Sequence, residues 1–192
     1  APECIIVGIN QTYINNSQKE QRWADGRYNE ITGLPEDQGV LFFNFITDEL
    51  ITFIDSSYNT SDFRIILGHS FTANYINYFF TDTDRKFNGF ISLSPYPAPG
   101  TTQRMRSTIK NLEEPVYYFL STGSLDLKGH ILSIEKLNKS LKNINSDLFN
   151  YRFMDIDKAN HTNIVSQSIP FALEHVFKDF TGLNRMSPEE YN

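Results

Sequence analysis

Short apolar runs alternate along the chain with longer stretches in which apolar residues recur every three or four positions. Residues 4–9 (Cys4-Ile5-Ile6-Val7-Gly8-Ile9) have the length and β-branched content of a buried strand, as do residues 64–68, 90–93, 116–121 and 149–154. Between them the spacing changes. Phe42, Phe45, Ile46, Leu50, Phe53 and Ile54 share one face of a helix over 41–54, and Ile131, Ile134, Leu137 and Leu141 one stripe of a helix over 129–143. Residues 71–80, 102–111 and 169–180 complete the predicted helices, the last with Pro170 in its first turn, where proline is tolerated. Strand–helix alternation with continuously apolar strands predicts an α/β fold of three layers, a mostly parallel five-stranded sheet with helices on both faces. Residues 1–192 then form a single domain. Residues 10–40 are the one long polar stretch, with Arg22 and Trp23 among charges. A lid or substrate loop and a plain surface excursion both fit it.

Composition narrows the partners more than the fold. The chain has 192 residues, enough for one domain with a sizeable core, and no apolar run long enough to span a membrane as a helix. A net charge of -6 argues against nucleic acid, whose phosphates need clustered cations. Arg104, Arg106 and Lys110 read as a solvated helix face. The one cysteine, Cys4, excludes an internal disulfide and a multi-thiolate metal site, and its apolar surroundings predict a buried small hydrophobe. No two histidines have i, i+4 spacing, and Asp82/Asp84 and Asp155/Asp157 read as turn residues, so no metal and no cofactor is expected. No leader precedes the first predicted strand; cytoplasmic, periplasmic and secreted locations all stay open.

The chemistry centres on Gly68-His69-Ser70-Phe71-Thr72. An apolar strand, then Gly-x-Ser, then a helix is the context of a nucleophile elbow, a sharp turn that lifts the Ser70 hydroxyl above the end of the strand. The Phe71 N–H would then point at a developing oxyanion. Thr72 stands where a second glycine is usual. Ser70 as a plain helix N-cap is the competing reading.

A serine needs a base. Of four histidines, His69 adjoins the elbow with its ring directed away from Ser70, His175 sits inside a helix, and His130 opens one as a solvated residue. His161, in the loop after the last strand, is placed to serve. Asp126, after strand 116–121, is the candidate acid that would orient it, giving the chain order Ser70, Asp126, His161. Asp155 and Asp157 are alternatives, and an ordinary turn role for Asp126 would leave a Ser–His dyad.

These residues, with Ile5–Ile9, Phe45-Ile46-Thr47-Asp48-Glu49-Leu50-Ile51, Phe87-Asn88-Gly89-Phe90-Ile91-Ser92-Leu93-Ser94-Pro95 and His161-Thr162-Asn163-Ile164-Val165, resemble the putative esterase family of α/β-hydrolases. That family includes esterase D-like enzymes and ferric-enterobactin (siderophore) esterases, and the likeness runs from about residue 4 to residue 180. It implies hydrolysis of a small-molecule carboxylic ester through an acyl-enzyme, with Ser70 as nucleophile and His161 as base. Thioester hydrolysis or acyl transfer on the same triad is the alternative enzyme, and a non-catalytic binding domain on the hydrolase scaffold the alternative class. The resemblance also implies that residues 4–9 are the family's fourth strand, that its N-terminal strands lie upstream of Ala1, and that 181–192 begin a C-terminal extension. A missing N-terminal segment or another chain would then pair with the open sheet, and this piece alone would be weakly active.

Overall fold

The computed structural model describes residues 2–10 and 18–180. Its centre is a parallel sheet of four strands in the order β1-β2-β3-β4: β1 (Ile65–His69), β2 (Gly89–Leu93), β3 (Val116–Leu125) and β4 (Phe149–Asn160). Each successive strand lies beside and parallel to the one before, joined by a helical crossover. The helices are α1 (Gln18–Asp25), α2 (Gln38–Asn44), α3 (Ile51–Ser57), α4 (Phe71–Thr81), α5 (Thr101–Lys110), α6 (Lys128–Leu141) and α7 (Ile164–Val176). A π-helical turn, Phe45–Leu50, joins α2 to α3 and makes 38–57 one continuous helical rod.

Alternation along the strands sorts the core into two clusters. Phe90, Tyr118 and Leu120 face α4, α5 and α6, where Phe79, Phe80, Met105, Ile109, Ile134 and Leu137 meet them. Ile91, Leu93, Tyr117 and Phe119 face the other way, onto Ala172, Val176 and Phe177 at α7. Both faces of β2 and of the first part of β3 are buried, which is why these strands read as unbroken apolar runs. Phe80 packs edge-on against Phe90, Tyr118 and Phe149, an arrangement the ring quadrupoles favour.

Five expectations are corrected. Residues 4–9 form no strand: they pair with nothing among the described residues, and Ile6 is 92% exposed. An apolar, β-branched composition permits a strand, but a strand exists only where a ladder partner satisfies its backbone. Among the described residues the sheet therefore has four strands, not five. Cys4, in the same segment, is exposed, with its thiol near the Pro2 carbonyl. The 10–40 stretch is not a loop throughout; it contains α1 and a bridge between Tyr28 and Pro35. Pro170 lies inside α7 rather than at its start, because the helix begins at Ile164. Arg104 is not a solvated cation: its guanidinium donates to the carbonyls of Thr32, Gly33 and Pro99, pinning the 10–40 stretch to the turn after β2. Residues 181–192, expected to begin an extension, lie outside the described residues.

Candidate active site

The candidate site lies at the carboxyl ends of the strands, where parallel α/β sheets usually place their ligand sites. β1 ends at His69 and α4 begins at Phe71, so Ser70 alone must reverse the chain, and it does so at φ 58°, ψ -119°, a conformation costly for a residue with a side chain. The turn is held from below by the Ser70 N–H, which donates to the Leu93 carbonyl at 2.9 Å. Gly68 is required: a Cβ there would stand 2.4 Å from the Thr72 carbonyl oxygen and 2.7 Å from the Ala73 nitrogen. Thr72 fits where glycine is usual because its hydroxyl donates to the His69 carbonyl (2.9 Å) and accepts from the His69 N–H (3.0 Å), closing the turn on itself. Ser70 precedes the helix, yet its side chain makes no capping hydrogen bond. It points instead to His161 Nε2, 2.9 Å away.

His161 and Asp126 arrive together on one ladder. β3 and β4 both run past the end of the core: Thr122 pairs with Asp155, Gly123 with Ile156 and Leu125 with Asn160 across an irregularity in register. The strands approach so closely that a Cβ on Gly123 would meet the Ala159 carbonyl oxygen at 2.2 Å. Asp126 follows directly after β3 and His161 directly after β4, with His161 Nδ1 2.8 Å from Asp126 Oδ1. The order Ser70 Oγ, His161 Nε2, His161 Nδ1, Asp126 Oδ1 is thus continuous. Asp155 and Asp157 sit on exposed strand positions, and the Asp157 carboxylate reaches Ser124.

The Asp126 side chain is fully buried. Burial alone would push its carboxyl up. Hydrogen bonds from the Ser94 hydroxyl, the Leu127 N–H and His161 outweigh it, and the group sits below its ordinary value, ionised at neutral pH. Ser94 Oγ lies 2.5 Å from Asp126 Oδ2 and 3.0 Å from His161 Nδ1, so Ser94, His161 and Asp126 form one network. Among the described residues no group of three His, Cys, Asp or Glu side chains is arranged to hold a metal ion.

Two more histidines surround His161. His69 brings Nε2 to 2.8 Å from the His161 backbone carbonyl, tying the elbow to the β4–α7 loop. Burial holds His69 below its ordinary value, despite that hydrogen bond, so the neutral ring donates. His130, expected to be solvated, is half-buried. Its ring lies 4.7 Å from that of His161 and 5.3 Å from that of Tyr96, and its Nδ1 is 3.0 Å from the Ser94 carbonyl oxygen. Neither Ser94 nor His130 was legible as a site residue, since both depend on which loops meet above the sheet. His175 is buried and bonds the Asn150 carbonyl at 2.9 Å, far from Ser70 in the fold. Trp23 of α1 packs against Phe71, ring centroids 4.5 Å apart and planes tilted, and is more than half exposed, which places the 10–40 stretch at the rim of the elbow.

No protein-family model matches the chain, and neither does any curated protein. Solved structures do match. The BES protein from Bacillus cereus superposes with a TM-score of 0.75 at 19% identity, over 84% of this chain and 65% of that one. An IroE-like serine hydrolase from Shewanella oneidensis gives 0.69 at 14% identity, over 85% and 58%. The siderophore hydrolase EstB from Aspergillus nidulans gives 0.62 at 9% identity, over 76% and 60%. The chain thus spans less than two thirds of the length of each of these structures. The chain shares with these structures an α/β fold, a parallel sheet flanked by helices.

Proposed function

We propose that the chain carries the catalytic centre of a serine hydrolase that cleaves carboxylic esters through an acyl-enzyme. The observation that carries this reading is the strained Ser70 held 2.9 Å from His161 Nε2 while Nδ1 of the same ring faces the buried Asp126 carboxylate at 2.8 Å. Ser70 Oγ attacks the ester carbonyl carbon as its proton passes to His161 Nε2. Asp126 accepts from Nδ1–H, fixing the tautomer and stabilising the imidazolium. The carbonyl oxygen becomes an oxyanion that receives the Phe71 N–H, a group at the first turn of α4 with no acceptor inside the helix. Collapse breaks the bond to the leaving alkoxide, which takes the proton from Nε2. Water then repeats the sequence on the acyl-Ser70 ester, releasing the acid and restoring the hydroxyl.

Ser70, rather than Ser94, is the nucleophile in this scheme. Ser94 is fully buried and lies on the Nδ1 side of the ring, with its only proton directed to Asp126. Ser70 is half-buried and lies on the Nε2 side. Thr72 fits the elbow through its two hydrogen bonds with the His69 backbone, so it is compatible with a working nucleophile turn. The substrate is a small-molecule ester of the general kind the siderophore hydrolases among the structural matches act on. A fluorophosphonate should label wild type on Ser70 and leave Ser70→Ala unlabelled. Unlabelled wild type, or labelling that survives Ser70→Ala, overturns the reading.

A further inference from the structure

Asp126 is gripped at both oxygens. Oδ1 lies 2.8 Å from His161 Nδ1 and 2.7 Å from the Leu127 N–H. Oδ2 lies 2.5 Å from Ser94 Oγ. A carboxylate held at one oxygen can swing about its terminal torsion, which is broad and softly restrained. Held at both, it presents one lone pair to the imidazole in one plane. Ser94 is well made for this task. It follows β2 directly, its N–H donates to the Ser121 carbonyl at 2.9 Å, and its own carbonyl faces His130 Nδ1 at 3.0 Å, so the backbone cannot drift. It is also at φ 50°, where glycine would sit without strain. A side chain retained at a glycine-like position needs a reason, and no apolar packing supplies one, because the side chain is a lone hydroxyl.

We infer that Ser94 is a positioning residue of the site: its buried hydroxyl locks the Asp126 carboxylate in the orientation that holds His161 toward Ser70. The inference rests on the assignment of Ser70, His161 and Asp126 as the reacting set. Ser94 neither touches substrate nor carries a proton in the reaction. Its effect falls on the step in which charge builds on His161, so turnover should suffer and substrate binding should not.

The test compares the full chain with Ser94→Gly and Ser94→Ala, using p-nitrophenyl acetate turnover and the rate of fluorophosphonate labelling of Ser70. Glycine removes the hydroxyl and relieves the backbone; alanine removes the hydroxyl alone. Loss of a hydrogen bond to a buried charge predicts a drop in kcat and in labelling rate of about 10–100-fold in both variants, with KM within about twofold. The unfolding midpoint of Ser94→Gly should stay within about 5 °C of wild type. Wild-type turnover in either variant overturns the role. So does failure of both variants to fold, which would make the hydroxyl a prop of the structure rather than of the reaction. If wild type itself is not labelled at Ser70, the parent assignment fails and the Ser94 role falls with it. If wild type is labelled and both variants are labelled equally fast, only the Ser94 role fails.

Discussion

Replacing Asp126 by asparagine exchanges one oxygen for nitrogen and thereby changes which tautomer of His161 the site prefers. An amide can offer Nδ1 a donor, and the base then presents N–H rather than a lone pair to Ser70. Asp126→Asn should therefore cost about 10⁴-fold in ester turnover while circular dichroism stays native. His161→Ala removes the base outright and should leave at most a residual rate, measured on the same aryl ester, without lowering the unfolding midpoint by more than a few degrees. The structure brings Ser70 and Asp126 each within hydrogen-bond reach of His161, and the sequence pointed to all three because each lies just after an apolar strand. Ser94 and His130 were not readable in the same way. A serine before a proline is an ordinary turn residue until its positive φ is seen, and a histidine in the first turn of a helix looks solvated until the neighbouring loop is placed. The sequence signals for Ser94 were its position directly after an apolar strand and its place in the segment 87–95 that carries the family resemblance.

The elements were more legible than their edges. Period and run length give α4, α5 and α6 to within a residue or two, since each buries one apolar stripe against the sheet. β3 and β4 were read too short, because their far halves lose the apolar pattern while staying paired to each other. Composition reports burial, whereas pairing continues wherever a partner is present. Residues 4–9 show the converse failure, an apolar run without a ladder. Two substitutions probe the elements themselves. Gly68→Ala forces a methyl into the α4 backbone at the elbow, where no flexible side chain can yield, and should destabilise the chain by about 1–3 kcal/mol in urea unfolding and abolish labelling of Ser70. Phe80→Ala, at a completely buried position near the end of α4, should cost about 3–5 kcal/mol by the same measurement and leave residual activity in the folded fraction.

For the molecule as a whole, acid should be destabilising for a definite reason. His69 and His175 both titrate below their ordinary value of 6.5, burial being the main cause in each. As pH falls through that value the unfolded chain binds protons the folded one refuses, so stability drops. Asp126 adds to this lower down: its contribution is present above its ordinary 3.8 and is lost as pH falls through its depressed folded value. The unfolding midpoint should therefore decline between about pH 7 and pH 5, and His175→Gln should flatten part of that slope. The outer edge of β1 has no partner among the described residues, and Leu67 on it is 45% exposed. An open apolar edge favours self-association, which sedimentation should detect with rising concentration and Leu67→Lys should suppress. At the opposite edge of the sheet lies β4, whose tail holds His161. An edge strand frays before a central one, so warming should carry the base away from Ser70 while the aromatic core is still intact. Heat would then abolish the proposed ester turnover reversibly several degrees before the chain melts, and cooling would restore it without any refolding of the core.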